Sequence, residues 1–382
     1  MNTDRDAGGA VAVDSTALGQ PQRRSRSIDD DGVIKNCLTQ YTDQSYMLRL
    51  GLEFPPLMGI MVAIAAMDRA NHHQLAMLSY IFAIQELRAS IADANDARNE
   101  DGLLATTICL CVYESFRTDS PPNVGPHATA AGFLLTSRSP AQRNQQPARM
   151  FERICVESFL YHSALMMLFD PTFDALSNPD RRMYLDRYFT VPDEPGEDPS
   201  TQPILCTSYQ FFLLIADVTR LARAAGLFCH SDMFTWQRLQ DELLQWERNP
   251  QAQSEGCMLY ILAMRILLIR IDTSAPSEEV EGRISFLLRQ GLGLVQSIDA
   301  DQFLIGDLLW PLAVLGSVAV TADEIRILND KIASLGSRRA LASWVRSHLD
   351  KIRTMTSSLR MRLGYLLGVG HDLASARLLL QY

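Results

Sequence analysis

Four polar residues interrupt otherwise apolar stretches of this chain: Glu114 after CLCVY, His127 ahead of ATAAGFLL, and Glu157 and His162 inside CVESFLYHSALMM. A carboxylate or imidazole in an apolar helix must find a hydrogen-bond partner, because burying it unpaired is costly. Glu157 and Tyr161 are four residues apart and share a helical face, whereas His162 sits about 100° further round. Two readings are open. The four side chains make interhelical hydrogen bonds that fix packing, or they line a pocket as donors, acceptors or a general acid–base pair. Such a pocket would suit cofactor-free cyclisation or isomerisation of the pericyclase type, in which shape, water exclusion and one or two hydrogen bonds stabilise the transition state.

Local motifs for other chemistries are missing. A two-histidine metal site on a helix wants His at i and i+4, but His72 and His73 meet Ala76 and Met77 there, and His162 meets Met166. The acidic run Asp29 to Asp31 lies in the N-terminal leader, outside any DDxxD helix, and there is no GxSxG elbow or P-loop. GVGHDL near the C-terminus holds two of the three glycines of a dinucleotide fingerprint and follows no strand. No metal or cofactor is therefore expected. The seven cysteines, at 37, 109, 111, 155, 206, 229 and 257, form no CxxC pair and sit mostly in apolar runs, as reduced core cysteines do.

A net charge of −9 and a pI near 5.3 argue against a broad phosphate-binding surface, so any DNA contact would be local. Residues 338–362 run against the trend: Arg338, Arg339, Arg346, Lys351, Arg353, Arg360 and Arg362 face one acid, Asp350. Leu341, Val345, Ile352, Met355 and Leu359 form an apolar stripe in the same stretch, which predicts an amphipathic helix with a cationic face. That face is either solvated or docked on the acidic body, or it meets phosphate or an acidic partner. Trp236 and Trp246 read as packing residues rather than base-stacking ones.

Residues 1–32, polar and small with a basic knot at Arg23, Arg24 and Arg26, read as a disordered leader, and the knot is a candidate nuclear-import patch. From Val33 to the C-terminus, apolar residues recur at three- and four-residue spacing, without strand alternation. Helices are expected in PPLMGIMVAIAAMDRA, HHQLAMLSYIFAIQELRASIADA, GLLATTICLCVYESFR, HATAAGFLLTSR and FERICVESFLYHSALMMLFD. An irregular stretch near 170–203 follows, rich in Pro and acids, as a surface loop or sub-unit boundary. Six further helical segments end in one long one from Thr321 to about Leu367. The expected fold is all-α: antiparallel helical hairpins stacked into an irregular array, residues 33–382. The leader lacks the apolar core of a secretion signal, and the apolar uncharged run Leu308 to Ala322 has 15 residues and holds Pro311, against the roughly 20 a membrane span needs. The chain is expected in the nucleus or cytoplasm, with no membrane contact.

Several segments in order, LMGIMVAIAAM with SYIFAIQELRASI, LLATTICLCVYESF, HATAAGFLL, FERICVESFLYH and DLLWPLAVLGSVAV, resemble the fungal-specific transcription factor domain over roughly residues 45–350. In that family the domain follows an N-terminal cluster of six cysteines that binds two zinc ions and reads DNA. Here Cys37 is followed by no cysteine until Cys109. The resemblance therefore implies an all-helical regulatory domain without its own zinc cluster. It would act through a protein partner or a small apolar metabolite in fungal specialised metabolism, and would not bind DNA directly. A repurposed catalyst of such a pathway is the alternative.

Overall fold

The computed structural model describes residues 44–67, 72–92, 100–117, 123–137, 146–177, 185, 209–224, 230–249, 254–271, 276–298, 308–336 and 340–368. Among them there are fourteen helices and no strand, so the fold is all-α. In chain order they are α1 (Gln44–Glu53), α2 (Pro55–Met67), α3 (His73–Ala92), α4 (Glu100–Phe116), α5 (Val124–Ser137), α6 (Gln146–Phe169) and α7 (Tyr209–Ala224). Then come α8 (His230–Arg248), α9 (Glu255–Ile271), α10 (Ser277–Ser297), α11 (Leu309–Val318), α12 (Ala322–Gly336), α13 (Ala340–Met355) and α14 (Leu359–Leu366). The leader and most of the 170–203 stretch lie outside the described residues; 170–177 are turns and irregular backbone closing on the end of α6.

Sequence neighbours pack as pairs: α2 with α3, α4 with α5, α6 with α7, α9 with α10, and α12 with α13. Two helices break the simple stack. Every residue of α11 is buried, and α6, α9, α10, α12, α13 and α14 all touch it. α9 is buried along nearly its whole length among α7, α8, α10, α11 and α14. LWPLAVLGSV and MLYILAMRILLIRI, apolar on every face, are the segments that can occupy such positions. At their crossing Tyr260 stacks on Trp310 with centroids 5.5 Å apart. Trp236 donates its indole N–H to the Leu268 carbonyl, and Trp246 meets the edge of Phe211, so both tryptophans serve packing.

The long helix expected from Thr321 to Leu367 is three. α12 ends at Gly336; after α13, Ser358 starts α14 by accepting the Met361 N–H on its hydroxyl. The two breaks let α13 and α14 fold back on α11, and they redirect the basic stripe. Arg353 donates from Nε and Nη2 to the Gly316 carbonyl at 3.2 and 3.0 Å; Arg362 donates from Nη1 to the Ala319 carbonyl at 2.7 Å and from Nε to Thr356 at 2.8 Å. Both serve the buried C-terminal end of α11. Arg346 and Lys351 stay exposed beside a groove of about 410 Å³, while Arg338 and Arg339 lie outside the described residues.

α3, with 20 residues, is by length and composition long and apolar enough to cross a bilayer, which a count of uncharged runs overlooks because Glu86 and Arg88 interrupt it. It packs lengthwise on α2. A Cβ on Gly59 would stand 2.9 Å from the Phe82 ring and 3.3 Å from the Ser79 carbonyl, so the glycine sets how closely the two helices approach.

Replacing Arg362 by Met strands the Ala319 carbonyl in the interior and is expected to lower unfolding free energy by about 2–4 kcal/mol. Arg346→Met, on the outer face of α13, should stay within about 0.5 kcal/mol of the unmodified chain when all three proteins are unfolded by urea.

Candidate functional site

Glu114 lies near the C-terminal end of α4 and is fully buried. Its carboxylate accepts from the Tyr80 hydroxyl of α3 at 2.8 Å, from Arg117 Nη1 at 3.1 Å and from the Asn123 N–H at 3.1 Å. Tyr80 stacks on Tyr113, centroids 4.5 Å apart, and the Arg117 guanidinium sits 5.5 Å from the Tyr80 ring centre. Burial, then the bond to Glu114, holds the Tyr80 hydroxyl far above its ordinary range. One carboxylate thus joins α3, α4 and the turn into α5.

His127, in the first turn of α5, comes within electrostatic reach of this carboxylate. Burial lowers its pKa while Glu114 pulls the other way, which keeps the imidazole neutral at neutral pH. Its Nε2 is buried and has no hydrogen-bond partner among the described residues. The pair can chemically offer a neutral imidazole beside a fixed negative charge.

Glu157 and His162 lie on α6, both buried, and no hydrogen bond joins them to Glu114 or His127. Glu157 accepts from Arg153 Nε at 3.1 Å, and burial, opposed by Arg153, pushes its carboxyl up to about 7. His162 Nδ1 is 2.8 Å from the Ser158 carbonyl, so Nδ1 carries the proton. Its ring meets the edge of Tyr161, centroids 5.2 Å apart. The four sequence-selected residues therefore fall into one cluster at α4–α5 and two local arrangements on α6. Neither the 410 Å³ groove nor one of about 840 Å³ beside α8, lined by Gln237, Arg238, Asp241 and Trp246, includes any of them.

Sequence reasoning missed Tyr80 and Asn123, whose partner is 34 and 9 residues away. Arg117, one helical turn from Glu114, is the partner that spacing could have found. The Cys111 thiol is pushed far above its ordinary range by burial, which leaves it unreactive. Among the described residues no three His, Cys, Asp or Glu side chains are grouped to hold a metal ion.

Glu157 yields a signed test. The unfolded chain loses this proton in the ordinary carboxylate range and the folded chain only near pH 7, so the group favours folding at low pH and that contribution disappears as pH rises between the two values. Glu157→Gln, which does not titrate, should gain stability relative to the unmodified chain between about pH 4.5 and 7, by on the order of 3 kcal/mol, and no more above it. Urea titrations at several pH values measure the gap; a constant gap would mean that Arg153 keeps the folded carboxylate ionised throughout.

The family model for the fungal specific transcription factor domain matches residues 37–352, which takes in α1 to α12 and most of α13. Neither a search among curated proteins nor one among solved structures finds a match. With more than half of its length inside that model and an all-helical body, the chain belongs to the fungal-specific transcription factor domain family.

Proposed function

We propose that this chain regulates transcription in fungal specialised metabolism, through a protein partner or a sensed small apolar metabolite, and reaches DNA only through a partner. Family membership across the helical body carries the reading. Charge supports it: the chain has an excess of nine acids, and Arg353 and Arg362, which phosphate contacts would need on the surface, are committed to backbone carbonyls inside. The mechanism is a population shift, in which a partner or ligand binds one helix arrangement better than another. The Glu114 cluster is the place for it, because one carboxylate there fixes the relation of α3, α4 and α5.

One observation favours the second reading, a repurposed cofactor-free cyclase or isomerase: the Nε2 of His127, without a hydrogen-bond partner among the described residues and within electrostatic reach of Glu114. A buried acceptor or donor left open is the kind of group a substrate satisfies.

Deleting the gene and measuring both transcripts and metabolites separates the two. Loss of transcripts from neighbouring pathway genes is the expected result. If those transcripts persist while a single unrearranged intermediate accumulates, and His127→Ala reproduces that accumulation, the chain is the catalyst and the regulatory reading fails.

A further inference from the structure

We infer that the outer face of α3 is the docking site for a second copy of this chain. α3 is apolar on two opposite sides. Ala76, Ala83 and Leu87 are buried against the body, while Leu75, Met77, Leu78, Ile81 and Phe82 are each 40% to 54% exposed. At about 100° per residue these five share an arc of about 160° whose centre lies opposite the buried three. A helix apolar all round normally has neighbours all round. Among the described helices, α3 packs lengthwise on α2 alone, with Tyr80 as its bond to α4. On the neighbouring α2, Val62, one turn beyond Gly59, is exposed too.

Charge and area both point to a second copy. A chain of net charge −9 repels its own kind wherever acids meet. From His73 to Gln85 there is no Asp, Glu, Lys or Arg, so two copies meeting here oppose no like charges. The strip equally offers a charged partner nothing to pair with. Two α3 helices related by a two-fold axis perpendicular to them run antiparallel, which sets each positive helix end beside a negative one and lets the same apolar patch serve on both sides. The exposed fractions correspond to about 500 Å² per copy and about 1,000 Å² for the pair, the lower bound for a specific interface, so the dimer is a weak one. A bilayer fits the strip less well, since Tyr80 is bonded inward to Glu114 and would have to leave it for the helix to span.

The inference is independent of the transcriptional reading and is tested by mass alone. In sedimentation velocity of the full chain from about 1 to about 100 µM, a range that brackets a weak dimer, the mass should rise from 42.7 kDa towards twice that value. Leu78→Glu and Ile81→Glu should each hold it at 42.7 kDa throughout, with unchanged circular dichroism and melting temperature. Phe286→Glu, a control at an exposed position on α10, should leave the dimer intact. A chain that is monomeric at 100 µM, or a dimer that survives both α3 substitutions, overturns the inference. So does a monomer that floats with phosphatidylcholine vesicles until Leu78→Glu releases it, because the face would then belong to a lipid surface.

Discussion

A helix buried on every side must still find donors for its last carbonyls, and in this fold arginines from other helices supply them. The C-terminal end of α11 receives Arg353 and Arg362. The end of α7 receives Arg270 of α9, whose Nη1 is 2.6 Å from the Ala222 carbonyl. Just beyond α6, the Asp170 and Phe173 carbonyls receive Arg223 of α7. These helix ends lie inside or against the body, where the orphan carbonyls of a terminus cannot rely on water. Guanidinium suits such positions because it carries five donors in a fixed fork, keeps its charge, and places that charge along the favourable end of the helix dipole.

Burial makes each of these contacts conditional. Arg270 is almost wholly enclosed, and burial, then the nearby Arg360, brings its pKa down to about 10; Arg223 is likewise brought down to about 10, by burial first. Both remain charged at neutral pH. The desolvation cost is offset only while every carbonyl contact is kept, so the junctions α6–α7, α7–α9 and α11–α13–α14 are held or lost as units. Arg270 also donates to the Arg360 carbonyl of α14, which ties two of these junctions together through one side chain.

This explains what could and could not be read from sequence. Apolar periodicity located the helical segments, because LWPLAVLGSV or PPLMGIMVAIAAM can bury its residues in no other local form. The basic stripe of 338–362 could not be resolved residue by residue, for a physical reason: a cation that will cap a distant carbonyl, as Arg353 and Arg362 do, has the same local signature as one that faces solvent. Ser358 and Gly336, the residues that divide the last segment, are common enough inside helices that only the fold-back onto α11 gives them meaning. At the candidate site, Glu114 stood out as a charge in an apolar run, but Tyr80 is one aromatic among many until α3 is laid across α4. His127 and Glu114 looked as separate as Glu157 and His162; the α4–α5 turn brings the first two into electrostatic reach, and no hydrogen bond does as much for the second two.

Tyr80 makes α3 more than an edge helix. Its ring stacks on Tyr113 with Arg117 near its centre and its hydroxyl bonds Glu114, so α3 cannot slide along α2 without breaking a buried charge-assisted bond and a stacked pair. The carboxylate's other partners are Arg117 and the Asn123 N–H at the start of α5, and a change in Tyr80 is therefore felt where His127 enters the body. Whatever holds α3 in one position on its outer side also favours one arrangement of the cluster on its inner side. The converse follows from linkage, with the same coupling free energy, since both events bias a single helix. An apolar outer face and a polar inner anchor on one helix give this fold a physical route between its surface and a fully buried carboxylate that accepts three hydrogen bonds.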